Sequence, residues 1–164
     1  MPLTFAYGSN MDPAAMARRC PRARLLGRAY LPRHRFALLP DGFATVMRDP
    51  AATAFGVLWE LGFGDLAALD RYEGVSQGAY RKITQPVLRE GAAPVRALVY
   101  LGAPGKSLGR APENYMAKIV HAARAHGFSR DYVDFLRRVG GEEVAETPKK
   151  FRAIRNAAVL REQE

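Results

Sequence analysis

Up to Leu101 the chain is a series of short apolar runs broken by turn residues, and beyond Pro112 apolar positions recur at helical spacing. Leu3 to Tyr7 alternates as a buried strand does, and Gly8, Ser9 and Asn10 supply turn chemistry, with Gly8 free to take backbone angles closed to other residues. Asp12 then Pro13 opens a helix, since Asp caps well and Pro tolerates the first helical position. That helix should fade at Cys20-Pro21, because the residue before a proline resists the helical region. Ala23 to Leu39 reads as two strands broken at Pro32-Arg33. Pro40-Asp41-Gly42 is a turn, Ala44 to Met47 a short strand and Asp49-Pro50 a second turn.

Thr53 to Leu61 is a stronger strand, with Phe55, Val57 and Trp59 on one face and Gly56 where another group approaches the backbone closely. Asp65 to Tyr72 is helical, carrying Leu66 and Leu69 and stopped by a left-handed Gly74. Ala79 to Arg89 and Val95 to Leu101 alternate as two strands around a Gly91 to Pro94 turn. Pro112 opens a helix with Tyr115, Ile119 and Ala122 along one stripe, ended at Gly127, and Ser129 caps another bearing Val133, Leu136 and Val139. The two make a helical hairpin. The expectation is an α+β domain of about six or seven strands over residues 1–146, followed by a basic C-terminal extension, 147–164, with Lys149, Lys150, Arg152 and Arg155.

Composition narrows the class. The 164 residues fit one domain able to bury a sizeable core, and 48% of them are hydrophobic. No apolar run approaches a membrane span and the N-terminus lacks a basic-then-apolar leader, so the expectation is a soluble cytoplasmic protein without a membrane partner. A single cysteine, Cys20, excludes an internal disulfide and a cysteine-based zinc cage, and reads as a small semi-buried hydrophobe. The net charge is +9, with seven arginines against Asp12 in the first forty residues. Nucleic acid, an acidic protein or a carboxylate-bearing substrate would each suit that bias. No nucleic-acid motif accompanies it, so solvated faces are favoured for most of these arginines.

Two places carry candidate chemistry. The strand, turn and helix start around Tyr7 to Asp12 leaves several backbone N–H groups without intrahelical partners, which suits an anion. It matches neither the P-loop nor the dinucleotide fingerprint, and spacing alone leaves an ordinary strand-to-helix turn equally open. Glu73 ends a helix, where the dipole disfavours a carboxylate by about 0.3 to 1 kcal/mol. A broken local rule marks functional positions, and burial there would raise its pKa and make it a better proton acceptor. Position alone, however, favours a solvated glutamate before a capping glycine. Ser9 lies outside a nucleophile elbow. His121 and His126 sit about 140° apart around a helix and share no metal-facing side. His34 reads as a strand-surface residue.

Taken together, Tyr7-Gly8-Ser9-Asn10-Met11, Gly56-Val57-Leu58-Trp59, Leu69-Asp70-x-x-Glu73-Gly74-Val75, Tyr80 and Pro112-x-x-Tyr115 before a helical hairpin resemble the gamma-glutamylcyclotransferase-like (AIG2-like) family. The first and third motifs are specific in combination, and the match spans nearly the whole chain. The resemblance implies a small mixed β barrel with helices packed around it. It also implies intramolecular aminolysis of a gamma-glutamyl compound, in which the α-amine attacks its own side-chain carbonyl and releases 5-oxoproline and an amine without a cofactor or metal.

Within the resemblance Glu73 is the acid/base, Tyr7, Gly8, Ser9 and Asn10 hold the glutamyl group, and Tyr80 and Tyr115 hydrogen-bond the substrate. Without it, core packing would be preferred for Tyr115. Family members often continue Pro-Ser where this chain has Pro112-Glu113, placing a negative charge near a possible entrance and leaving the substrate open. Glutathione-derived compounds, gamma-glutamyl amino acids, ε-lysine isopeptides and a gamma-glutamyl group on an acidic carrier protein all remain. The other class of function is a non-catalytic module using the pocket and the arginine-rich face for nucleic acid or an acidic protein. Retention of Glu73 argues against it, and no nucleic-acid partner is expected. Oligomeric state is not legible.

Overall fold

Gly42 turns the chain in the left-handed region (φ +86°) and donates its N–H to Leu39 O at 2.8 Å, and this tight turn launches the longest hairpin of the fold. In the computed structural model, which describes residues 1–103 and 109–144, the turn joins β2 (Arg24–Leu38) to β3 (Ala44–Glu60). Each was expected as two strands. Pro32-Arg33 does not break β2 but bulges it: Pro32 pairs with Thr53 and His34 with Arg48, while Arg33 takes a left-handed φ of +58°. Asp49 does make turn chemistry, accepting from the Ala51 N–H at 3.0 Å, but β3 runs on through it. Bulges bend strands without ending them, so five strands replace the expected six or seven.

Before the hairpin come β1 (Leu3–Ala6), a 3-10 turn over Ser9–Met11 and α1 (Pro13–Arg19). After it come α2 (Asp65–Tyr72), a short 3-10 turn over Val75–Gln77, β4 (Tyr80–Arg89), β5 (Ala92–Gly102), α3 (Tyr115–Ala125) and α4 (Arg130–Val139). The strands close into a barrel in the order β1-β3-β2-β4-β5. Neighbours are antiparallel except at the seam, where β1 meets β5 in parallel through Thr4 and Leu98. The result is an α+β fold built on a small mixed barrel.

Helix boundaries follow their caps. Asp12 accepts from the N–H groups of Ala14 and Ala15, at 3.1 and 3.2 Å, and Ser129 accepts from the Tyr132 N–H. Gly74 stops α2 at φ +65° as expected. α3 begins at Tyr115 rather than Pro112, because Asn114 is left-handed (φ +61°) and only the residue after it enters the helix. α3 and α4 form the expected hairpin. They seal the barrel through Ile119 and Leu136, both fully buried, and through Phe55 of β3, whose ring stacks on Tyr132 with centroids 4.2 Å apart. His34, expected on a strand surface, is buried, with Nδ1 2.8 Å from Pro32 O. Among the described residues no helix is long and apolar enough to cross a membrane. The basic extension lies outside the described residues.

Gly56 is where β3 presses on β1. A Cβ there would stand 2.2 Å from Ala6 O and 2.7 Å from the Phe5 ring, so no side chain fits without moving backbone. Gly56→Ala should therefore destabilise the protein by about 1 to 3 kcal/mol or more in urea unfolding. A change within about 0.5 kcal/mol, the range of ordinary surface substitutions, would show that the two strands can part freely.

Candidate active site

β1 ends at Ala6, the chain turns through Tyr7 and Gly8, and the Ser9–Met11 turn delivers it to α1. Tyr7, Gly8, Ser9 and Asn10 line one wall of a cleft whose other walls carry Glu73, Tyr80, Tyr100, Tyr115 and Ala44. All seven residues singled out from the sequence thus face one space. Its cavity volume is about 40 Å³, and a single water needs about 10 to 15 Å³ on the same measure, so the cleft suits a small polar group.

Glu73 follows α2 directly, its N–H donating to Leu69 O at 2.9 Å. Its half-buried carboxylate turns back toward the loop, where Oε1 accepts from Asn10 Nδ2 at 2.8 Å. Burial pushes the carboxyl above its ordinary value, while the Asn10 hydrogen bond and the charge of Arg19 pull the other way. Asn10 is itself fastened at its backbone, since Trp59 Nε1 donates to Asn10 O at 3.0 Å. His126 at the end of α3 holds the next residue through Met11 O at 2.6 Å.

The tyrosines are not equivalent. Burial raises the pKa of Tyr7, Tyr80 and Tyr100, and pushes Tyr115 up to about 12, so all four hydroxyls keep their protons. Tyr7 donates its proton to Tyr100 O and Tyr80 donates to Ala44 O at 2.6 Å. The Tyr115 hydroxyl instead accepts, from the Ala44 N–H at 3.1 Å, which leaves its own proton without an acceptor among the described residues. Tyr115 can donate into the cleft, whereas Tyr7 and Tyr80 can only accept while these bonds last.

The Gly8 backbone (φ −124°, ψ −132°) is not left-handed but lies outside the extended and helical regions, and its surroundings are tight as well. A Cβ there would sit 3.2 Å from Ala44 Cβ and 3.9 Å from the Tyr115 hydroxyl. The anion-binding reading also moves. Asp12 caps the first N–H groups of α1, so the unpaired donors belong to the head of the Ser9–Met11 turn. Glu113 lines a separate groove with Arg110 and Glu142 and puts no charge into this cleft.

Sequence reading missed Arg19 and Tyr100. Arg19 Nη1 donates to Ser9 Oγ at 3.0 Å and to Asn10 Oδ1, and its guanidinium lies 3.9 Å from the centre of the Tyr72 ring. As the last residue of α1 it looked like one more cation complementing a helix C-terminus. Tyr100 donates to Asp70 Oδ1 at 2.6 Å, and Asp70 Oδ2 pairs with Lys82 at 2.7 Å, which ties α2 to the barrel. Ser9 Oγ has Arg19 as its partner, and among the described residues no base hydrogen-bonds to it. Among the described residues no group of three His, Cys, Asp or Glu side chains could hold a metal ion.

The raised Glu73 pKa fixes a sign. A carboxyl that binds its proton more tightly when folded adds stability below its unfolded value near 4.5, and that contribution is lost as pH rises through the folded value. Glu73→Gln, which keeps an acceptor for Asn10 without the charge, should match or exceed the wild-type melting temperature at neutral pH. The difference should shrink below pH 4.5. A variant clearly less stable than wild type at neutral pH would mean that the carboxylate is net stabilising.

A family model for the AIG2-like family matches residues 53–136, from the middle of β3 into α4. The chain is 26% identical to Gamma-glutamylcyclotransferase of Homo sapiens over 147 residues, covering 84% of this chain and 78% of that one. It is 26% identical to the Mus musculus protein of the same name over 151 residues, covering 86% and 80%. In fold it resembles a solved gamma-glutamyl cyclotransferase with a TM-score of 0.79 at 21% identity, over 98% of both chains. It also resembles YkqA from Bacillus subtilis, with a TM-score of 0.74 at 24% identity, over 86% of this chain and 54% of that one. The matched segment carries Glu73, Tyr80 and Tyr115, the barrel is shared almost end to end, and the chain belongs to the AIG2-like family.

Proposed function

We propose that the protein is a gamma-glutamylcyclotransferase-type enzyme that releases 5-oxoproline from a gamma-glutamyl compound, with Glu73 as the proton carrier. The observation that carries this reading is a single half-buried carboxylate, raised in pKa, facing an N–H-bearing turn and a donating phenol across one small cleft. The similarity to the human and mouse gamma-glutamylcyclotransferases supports the same chemistry.

In this reading the Gly8 to Asn10 turn and Tyr115 hold the glutamyl end, and Glu73 takes a proton from the α-ammonium group. The freed amine attacks the side-chain carbonyl carbon, and the N–H groups and the Tyr115 hydroxyl stabilise the oxygen as it becomes negative. Glu73 then returns its proton to the departing nitrogen as the old C–N bond breaks. Over the reaction the ammonium nitrogen loses two protons on becoming the lactam N–H and the departing nitrogen gains two on leaving as ammonium, so no acid or base is consumed. Both reacting groups belong to one molecule, so the cleft chiefly freezes a rotamer and moves protons. The substrate class is a small gamma-glutamyl compound, and no cofactor enters any step.

Glu73→Gln should leave the fold intact and lower 5-oxoproline production by about 100-fold or more. Asp70→Asn should cost much less, because Asp70 spends its oxygens on Tyr100 and Lys82 and none on the cleft. Equal turnover by Glu73→Gln and wild type, or a larger loss at Asp70, would overturn the assignment. Gly8→Val should abolish 5-oxoproline binding in calorimetry, since its side chain enters the space between Ala44 and Tyr115. Binding that survives the change would place the pocket elsewhere.

A further inference from the structure

A carboxylate serves as a proton carrier only if its direction is fixed, and the group fixing Glu73 is a primary amide that could face either way. Asn10 has an acceptor end and a donor end of nearly the same shape. With its oxygen toward Glu73, two acceptors would meet and the carboxylate would be turned away. With its nitrogen toward Glu73, the 2.8 Å hydrogen bond forms. The choice is made on the far side of the amide. Arg19 has donors and no acceptor, and its Nη1 takes Asn10 Oδ1.

Arg19 is held in turn. Ser9 Oγ accepts from the same nitrogen at 3.0 Å, and the Tyr72 ring lies under the guanidinium at 3.9 Å. Tyr72 and Glu73 are consecutive, so the end of α2 grips the N-terminal segment at two points, the end of α1 and the loop before it. The ring of Tyr72 rests on Arg19, and the carboxylate of Glu73 on Asn10. Around Glu73 stand Arg19 from α1, Tyr7 from the end of β1, Tyr80 from β4, Tyr100 from β5, Tyr115 from α3 and the Cys20 thiol. Of these only Arg19 is a cation.

We propose that Arg19 is a positioning residue for the Glu73 carboxylate, acting through the Asn10 side-chain amide. Its consequence for turnover rests on the reading of Glu73 as proton carrier, but its consequence for Glu73 itself does not. Removing the cation also removes a charge that favours ionised Glu73, so the carboxyl should titrate higher.

The test follows the Glu73 carboxyl by carbon-13 NMR in glutamate-labelled protein, with Glu73→Gln identifying the resonance, beside the pH profile of kcat for 5-oxoproline release. In Arg19→Met the Glu73 midpoint should rise, the acid limb of kcat should rise with it, and kcat should fall about 10- to 100-fold, the scale expected of a misplaced catalytic group. Arg19→Lys should bring the midpoint back toward wild type but recover kcat only in part, since an ammonium lacks the planar fork.

Should Arg19→Met fail to fold, Arg19→Gln, neutral but able to donate to Asn10, replaces it in the same titration with a rise still expected. A Glu73 midpoint and acid limb unmoved in the neutral variants would overturn the proposal and leave Arg19 as a clamp on α1. If wild type makes no 5-oxoproline from any gamma-glutamyl compound, the enzymatic reading fails, while the NMR titration still decides whether Arg19 governs Glu73.

Discussion

The hydrogen bond from Asn10 to Glu73 joins two parts of the chain 63 residues apart, and most of the structure can be read as what keeps those two atoms 2.8 Å from each other. A carboxylate half withdrawn from water needs donors, or it takes a proton and loses its use as a base. Here one neutral amide supplies the direct contact. That leaves the carboxyl poised above its usual range, where a stronger direct ion pair would have pinned it as a permanent anion.

Each partner is anchored separately. Asn10 hangs from β3 through Trp59 and sits in the turn that follows β1, a strand the barrel grips on both edges. Gly56 lets β3 approach β1 closely enough for this. Glu73 is carried by α2, which Asp70 fastens to Tyr100 and Lys82 on the far strands. Tyr100 O accepts from Tyr7, so the same residue braces both sides of the cleft. A closed barrel suits the task, because it has no free edge along which either anchor could slip.

Much of this was legible in the sequence where short-range rules decide it. The Asp12-Pro13 start, the Asp65 to Tyr72 helix, the Gly74 stop and the Ser129 cap all act over a few residues, and each appears as expected. The misreadings share a cause. Pro32-Arg33 and Asp49-Pro50 look like breaks, but pairing along the long β2-β3 hairpin absorbs them as bulges, and pairing is a non-local fact. His34 looked exposed for the same reason. Arg19 was one of seven arginines in a basic segment, and nothing in its local pattern distinguishes it. Only the fold brings Asn10, Ser9 and Tyr72 to it. The roles of Tyr7, Tyr80 and Tyr115 could not be told apart either, since which phenol keeps a free proton depends on where the Ala44 backbone falls.

The reaction itself leaves an isotopic record. When a gamma-glutamyl dipeptide is turned over in water enriched in oxygen-18, ring closure by the substrate's own amine uses no water, so the product should be unlabelled 5-oxoproline, formed by wild type and nearly absent with Glu73→Gln. Glutamate carrying oxygen-18 in its side-chain carboxylate would mean that water is the nucleophile, and would contradict both the assigned reaction and the part given to Glu73 in it.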